Sequence, residues 1–126
     1  MKRLILIFAV FMVAVSSHPH TGEAASLKEI FLFRATVEAD DGTYHWEYNS
    51  PDDFEYHAKG KVVHGTEAEG QVKEIYEQAD LFEEVNKEAL AKAFQQAGYE
   101  DMTRLDVRWQ NGNGDLYTWL WEKKQQ

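Results

Sequence analysis

The sequence predicts an α+β domain in which an antiparallel sheet carries two helices packed on one face. Three observations lead to this prediction. Apolar side chains alternate along several short segments, they recur at helical spacing in two central segments, and glycine or asparagine lies between the segments. The predicted order along the chain is βββ-αα-ββ. Strands and helices that are grouped in this way, instead of alternating, are typical of an α+β fold.

The first two predicted strands form a hairpin. Apolar and polar side chains alternate over residues 27–39 and again over residues 44–48. Asp41-Gly42 lies between these segments and is a strong signal for a two-residue turn. That turn would pair Val37 with Trp46, so that the large apolar side chains of both strands share one face of the sheet.

A third strand and two helices follow. Residues 54–62 alternate once more, and Gly60 within them predicts a bulge or a bend. The segment 66–69 has the sequence Thr-Glu-Ala-Glu, which is typical of a capping box at the start of a helix. The second helix is predicted to begin near Asn86 and to end at Gly98.

Aromatic side chains alternate along the last predicted strand and form an aromatic stripe of Tyr117, Trp119 and Trp121. Such a stripe on an exposed sheet can stack against a sugar ring or hold a peptide. A three-residue loop at 112–114 would place the stripe in the core. A two- or four-residue loop would instead turn it toward two arginines and permit cation–π contacts. The predicted ligand-binding residues are therefore Tyr117, Trp119, Trp121, Arg104 and Arg108.

A second set of candidate residues lies on the polar side of the first three strands. The predicted turns place Glu38 opposite His45, and His45 opposite His57, in one row across the sheet. Two imidazoles and a carboxylate are suitable ligands for Zn²⁺ or another divalent ion when their donor atoms converge. The sequence thus predicts a divalent metal as a candidate cofactor, held by Glu38, His45 and His57. The alternative is a solvated polar face with no cofactor.

Residues 1–17 are predicted to be a cleavable secretory signal peptide. Two basic residues precede the unbroken apolar run 4–15, which is shorter than the ~20 residues of a membrane-spanning helix. Small residues permit cleavage after residue 17 or, alternatively, after residue 24. The predicted location is therefore secreted, and the alternative is retention by an uncleaved signal anchor.

The remaining chain is predicted to be a flexible leader, 18–26, followed by a single domain, 27–123. The chain carries 22 acidic and 13 basic residues and a formal net charge of −9, which disfavours nucleic acid and anionic membranes as partners. It has no cysteine, so disulfides, thiolate metal sites, nucleophilic thiols and a lipid anchor on cysteine are excluded. An exported domain without cysteine is more typical of bacteria than of animals.

Several segments resemble the YusW-like proteins of Bacillus-type bacteria. The resemblance rests on the segment from Phe33 to Tyr48, on the helix entry from Gly65 to Ala68, and on the closing hairpin with its glycine turn. It covers most of residues 30–122. It implies a small exported protein and the extent of its domain, and it brings no established activity with it.

No catalytic motif is found in the sequence. It has no Gly-x-Ser-x-Gly elbow and no Ser-x-x-Lys, and its glycine-rich stretch lacks the Lys-Ser/Thr of a phosphate loop. The leading prediction is an exported, non-enzymatic binding or interaction domain for a protein, small-molecule or carbohydrate partner. One alternative is a small extracellular metal-binding protein or metal-dependent hydrolase that uses the Glu/His row. Another is a module that resembles a protease inhibitor.

Overall fold

A computed structural model describes residues 25–124, so the predicted signal peptide, 1–17, and most of the predicted leader, 18–26, lie outside the described residues. It contains a six-stranded antiparallel sheet and two α-helices, which confirms the α+β class. The strands are β1 (Leu32–Ala39), β2 (Gly42–Asn49), β3 (Asp53–Ala58), β4 (Lys61–His64), β5 (Met102–Gln110) and β6 (Leu116–Glu122), and the helices are α1 (Thr66–Ala79) and α2 (Lys87–Gln96). Neither helix of this part of the chain is long and apolar enough to cross a membrane.

The strands follow the spatial order β4-β3-β2-β1-β5-β6. The first four pair with their neighbours in sequence, so that they form a meander. β5 returns to pair with β1 after both helices, and β6 then pairs with β5. This order places β1 inside the sheet and leaves β4 and β6 at its two edges.

Four strands precede the helices, where the sequence analysis predicted three. The predicted third strand, 54–62, is divided by a turn at Lys59 and Gly60, and Ala58 pairs with Lys61 across it. Lys59 has a φ of 53° and Gly60 a φ of 85°, so both residues lie in the left-handed region that a tight hairpin turn requires. A lysine at positive φ is uncommon. For that reason the sequence predicted a bulge at Gly60 instead of a reversal of the chain.

One side of the sheet, here called the inner face, carries large buried side chains that contact both helices. The ring of Phe33 in β1 lies 5.0 Å from that of Tyr76 in α1, measured between centroids. The ring of Trp46 in β2 lies 6.0 Å from that of Phe94 in α2. The largest side chains buried in this core are Trp46, Trp109, Tyr48, Phe33 and Phe94.

A buried hydrogen-bond chain crosses this core. The Trp109 Nε1–H group donates to Tyr76 Oη at 3.2 Å, and the Tyr76 hydroxyl donates to the carbonyl oxygen of Ala25 at 2.6 Å. Burial raises the pKa of Tyr76 to about 12. The hydroxyl thus satisfies the indole N–H and links β5, α1 and the start of the described chain.

The two helices begin in different ways. Gly65 has a φ of 66° and is the N-cap residue of α1, and as a glycine it has no side chain to form a capping hydrogen bond. The predicted capping box is therefore wrong, because Thr66 is already helical and the turn occurs at the glycine. For α2, the predicted start near Asn86 is confirmed. The Asn86 side chain caps the helix by accepting a hydrogen bond from the Ala89 N–H group at 2.8 Å.

Candidate functional site

The turn between β1 and β2 determines which residues are neighbours on the side of the sheet opposite the inner face, here called the outer face. Ala39 pairs with Gly42, so Asp40 and Asp41 are the two central residues of this turn. The prediction of Asp41-Gly42 at the tip is therefore wrong. Gly42 has a φ of 137° and follows the central pair, a position at which many turns favour glycine.

This register separates two of the predicted metal ligands. His45 lies opposite Thr36, and Glu38 lies elsewhere along β1, so the predicted pairing of Glu38 with His45 is wrong. The carboxylate of Glu38 instead forms an ion pair with Arg104, with Nη1 and Oε2 3.5 Å apart. The predicted row of Glu38, His45 and His57 is thus not brought together.

The other half of the predicted row is confirmed. His45 lies opposite His57 across β2 and β3, and their ring centroids are 5.1 Å apart at an interplanar angle of 74°. The pairing follows from the predicted match of Tyr48 with Phe54, which keeps the aromatic side chains on the inner face.

These histidines belong to a larger histidine–glutamate patch on the outer face, formed by His45, His57, His64, Glu47 and Glu55. His45 Nε2 lies 3.0 Å from Glu47 Oε1, and His57 Nε2 contacts Glu55 Oε2. His64 Nδ1 lies 3.5 Å from Glu55 Oε1. Within residues 25–124, no group of three or more His, Cys, Asp or Glu side chains is arranged to hold a metal ion.

Sequence analysis did not identify His64 as part of this patch. His64 lies opposite Glu55 because the chain reverses at Lys59 and Gly60. A division of segment 54–64 into two strands at Gly60 would have predicted this neighbour.

The carboxylate of Glu47 is held in its ionised form within the patch. Burial raises the pKa of Glu47, but hydrogen bonds from His45 and Asn49 and the charge of Arg34 outweigh burial and lower the pKa. The Asn49 side-chain amide donates to Glu47 Oε2 at 2.9 Å, and Arg34 Nη2 lies 3.7 Å from the same oxygen. Thr36 Oγ1 lies 2.8 Å from His45 Nδ1, so both ring nitrogens of this histidine have partners.

Two arginines face each other at the centre of the outer face. Arg34 of β1 lies directly opposite Arg108 of β5, and together they are called the outer arginine pair. Directly opposed like charges destabilise a sheet. Arg34 Nε is buried and has no hydrogen-bond partner, and no ion pair to Arg108 occurs in the described part of the chain. Arg104, by contrast, is engaged by both Glu38 and Glu122.

The loop of the closing hairpin decides where the aromatic stripe lies. The Asn111 N–H group donates to the Asp115 carbonyl at 3.0 Å, which leaves a three-residue loop in which Gly114 has a φ of 88°. Trp119 accordingly lies opposite Val107. The predicted three-residue loop, which turns the aromatic stripe toward the core, is confirmed. The alternative of a two- or four-residue loop is wrong.

The aromatic stripe is half-buried against the core and does not face the arginines. The Trp119 Nε1–H group donates to the Val85 carbonyl at 2.8 Å, and the Trp119 ring stacks on that of Tyr117 at a centroid distance of 6.2 Å. Trp121 lies opposite buried Leu105. The stripe residues are therefore on the inner face, whereas Arg104 and Arg108 lie on the outer face, so cation–π contacts between them are excluded by the register.

The outer face is partly accessible to solvent in the described part of the chain. No side chain that the six strands direct to this face is buried. Three of its apolar side chains are strongly exposed and lie on the edge strands: Val62, Leu116 and Leu120. These three side chains are therefore accessible at the two edges of the outer face in the described part of the chain.

No protein-family model, curated protein or solved structure matches this chain. The resemblance to the YusW-like family thus rests only on the sequence segments named above and has no support from these comparisons.

Proposed function

We propose that the protein is an exported, non-enzymatic binding domain that holds a partner against the outer face of its sheet. The observation that carries this proposal is the outer arginine pair, Arg34 and Arg108. A carboxylate between two opposed guanidinium groups would replace their repulsion by charge-assisted hydrogen bonds. The chain has 22 acidic residues, but too few of them lie beside the outer arginine pair to neutralise its charge. This local excess of positive charge supports the binding of an anionic group.

The proposal takes both helices to cover the inner face, so that the outer face stays free. The contacts of Tyr76 with Phe33 and of Phe94 with Trp46 support this arrangement, because both aromatic partners belong to the inner face. The half-buried aromatic stripe then helps to close the core, and binding depends on the polar side chains of the outer face.

The surroundings of the arginine pair favour a partner that carries both signs of charge. Glu47 lies on β2, beside β1, and Glu55 lies opposite Glu47 on β3, one strand further away; both carboxylates would attract a basic group. The same carboxylates would repel a polyanion, which argues against nucleic acid. A segment of a protein that has one acidic and one basic side chain matches both parts of the outer face, and this is the proposed class of partner.

Export is part of the proposal and is supported by the apolar run 4–15 with its preceding basic residues. We expect secreted material to begin at His18 or Ala25. Mass spectrometry of the protein outside the cells tests this expectation. Recovery of full-length, membrane-bound chain alone would contradict it.

The binding experiment is a nuclear magnetic resonance titration with two probes, sulfate and the capped dipeptide Glu-Lys. We expect the Nε–H signals of Arg34 and Arg108 to shift with either probe, and the dipeptide to shift the amide signals of Glu47 as well. Arg108→Gln should abolish these shifts, whereas Lys92→Gln, an exposed control on α2, should retain them. Equal shifts in Arg108→Gln and wild type would contradict the proposal.

A second experiment addresses the alternatives of the sequence analysis. The purified protein is assayed for hydrolysis of ester and peptide substrates and for inhibition of common proteases. We expect neither activity. Turnover that is lost in His45→Ala would show that the histidine–glutamate patch is catalytic and would overturn the non-enzymatic part of the proposal.

A further inference from the structure

β6 lies at one edge of the sheet, and in the described part of the chain one side of its backbone has no partner strand. Its seven residues contain neither proline nor glycine, and it pairs with β5 without any shift of register. Edge strands in soluble proteins are usually short, kinked or covered, because a regular edge offers its N–H and C=O groups to another strand. β6 has none of these protective features among residues 25–124.

The direction of the backbone groups in β6 follows from the two ends of the hairpin. The Asn111 N–H group donates to the Asp115 carbonyl at 3.0 Å, and the Lys123 N–H group donates to the Thr103 carbonyl at 2.9 Å. Since bonded residues alternate along an antiparallel strand, the odd-numbered residues of β6 bond to β5. The residues whose N–H and C=O groups point away from β5 are Leu116, Thr118, Leu120 and Glu122.

We infer that this edge pairs with the same edge of a second copy of the chain, in antiparallel orientation. Full overlap of the two strands places Trp119 opposite its own equivalent on the two-fold axis. Leu116 then lies opposite Glu122 of the second copy, and Thr118 opposite Leu120. Each residue whose backbone groups point away from β5 thus lies opposite such a residue of the second copy. The two residues of each pair exchange two hydrogen bonds. The two sheets become one continuous sheet.

In the same register, charged residues at the ends of β6 lie opposite residues of the other sign in the second copy. Asp115 lies opposite Lys123 of the second copy, and the two-fold symmetry forms this pair twice. Residues 115–124 contain two acidic side chains, Asp115 and Glu122, and two basic ones, Lys123 and Lys124. The edge is therefore neutral, although the whole chain has a net charge of −9. Two copies approach at this edge without the repulsion expected elsewhere on their surfaces.

The side chains also match across the proposed junction. On the inner face, Tyr117 lies opposite Trp121 of the second copy, so the two aromatic stripes form one continuous layer. On the outer face, exposed Leu120 lies beside its own equivalent and opposite Thr118. Aromatic and aliphatic cross-strand pairs stabilise a sheet. The other edge strand, β4, has only four residues and includes Lys61 and His64, and it is a poorer surface for pairing.

The test is sedimentation equilibrium of the purified protein over a series of concentrations. We expect a monomer–dimer equilibrium that weakens in Thr118→Pro, because proline removes an N–H group that points toward the second copy and not toward β5. Circular dichroism and thermal unfolding confirm that this variant is folded. A wild-type protein that is monomeric at every concentration would overturn the inference.

Substitutions that reverse the charge of Asp115 or Lys123 test the proposed register of the two β6 strands. Asp115→Lys or Lys123→Asp alone places like charges opposite each other twice in the dimer, and we expect a dissociation constant about tenfold higher at low salt. The double variant should return close to the wild-type value. Asp52→Lys, in the turn between β2 and β3, and Lys61→Asp, on β4 at the opposite edge of the sheet, are controls with the same changes of net charge at exposed positions, and they should not weaken the dimer.

Three results would overturn the inference in different ways. A dimer that is insensitive to both single exchanges excludes this register. A dimer that is also insensitive to Thr118→Pro excludes the β6 edge. A monomeric protein that binds a synthetic peptide of residues 115–124 would show that a separate strand, and not a second folded copy, occupies the edge. None of these results depends on Arg34 or on the proposed function.

Discussion

Lys59 Nζ lies 3.2 Å from Asp41 Oδ2, and this ion pair joins the turn between β3 and β4 to the turn between β1 and β2. The Tyr44 hydroxyl donates to the same carboxylate oxygen at 2.8 Å. The hydrogen bonds from Tyr44 and Lys59 lower the pKa of Asp41, and the carboxylate in turn raises the pKa of Lys59. The side chain of Asp41 thus connects both turns at one end of the sheet.

Asp41→Asn is expected to destabilise the protein at neutral pH and to have little effect in acid. The folded state lowers the pKa of Asp41, so its contribution to stability is present above the ordinary value of 3.8 and is lost as the pH falls through the lowered value. Urea unfolding at neutral pH and at about pH 3 measures this difference. Asp40→Asn, in the same turn, is the control and should destabilise the protein less than Asp41→Asn at neutral pH. A loss that is equal at both pH values would contradict the assignment.

Gly112→Ala is expected to destabilise the protein by about 1–3 kcal/mol, as overpacking does. A Cβ atom at this position would lie 2.5 Å from the carbonyl oxygen of Glu29, so the backbone of one segment must move. Gly70→Ala is the matched control: it lies within α1 with nothing near its Cβ position, and it should stabilise the protein by about 0.5–1 kcal/mol. Urea unfolding of both variants measures the two opposite effects. If Gly112→Ala left the free energy of unfolding unchanged, the close approach of Gly112 to the Glu29 carbonyl would be disproved.

Tyr76→Phe is expected to cost about 1–3 kcal/mol, because it leaves the buried Trp109 Nε1–H group without an acceptor. The control is Tyr117→Phe, which removes a hydroxyl from the half-buried stripe and should change the free energy of unfolding by less than about 0.5 kcal/mol. Thermal or urea unfolding compares the two variants. Equal losses would show that the buried hydrogen bond has no special contribution.

Alkaline conditions are expected to unfold the protein through two of its tyrosines. Burial raises the pKa values of Tyr76 and Tyr99 to about 12, from an ordinary value of 10.0. Since the unfolded chain loses these phenolic protons first, stability is complete below pH 10 and falls as the pH rises toward about 12. An ultraviolet absorbance titration should show two late ionisations, and Tyr99→Phe should remove one of them. Six tyrosines that all ionise near pH 10 in the folded protein would contradict this.

The two hairpins show why some registers were predictable and others were not. In the closing hairpin, a change of loop length by one residue would move Trp119 to the opposite face, so the apolar pattern selects the three-residue loop. In the first hairpin, a turn at Asp40-Asp41 and a turn at Asp41-Gly42 both leave Trp46 on the inner face. The apolar pattern does not distinguish between these two turns, and the pairing of Glu38 was consequently predicted wrongly.

In the candidate site, too, the local registers were predictable and the long-range register was not. The residues of the outer face were recognisable as polar positions, and the match of Tyr48 with Phe54 predicted that His45 and His57 are opposite. The outer arginine pair was missed, because Arg34 and Arg108 are joined by the long-range pairing of β1 with β5. Local turn signals carry no information about that register. His64 was missed because a lysine in the left-handed region, Lys59, is not predicted from residue preferences.

The position of β1 between β2 and β5 has a consequence for how quickly the protein folds. The first four strands are joined by short turns and form without a large loop-closure cost, whereas β1 and β5 meet only after the chain closes over both helices. We therefore expect the pairing of β1 with β5 to limit the rate of folding. In stopped-flow experiments, Val107→Ala in β5 should mainly slow folding, whereas Val63→Ala in β4 should mainly accelerate unfolding.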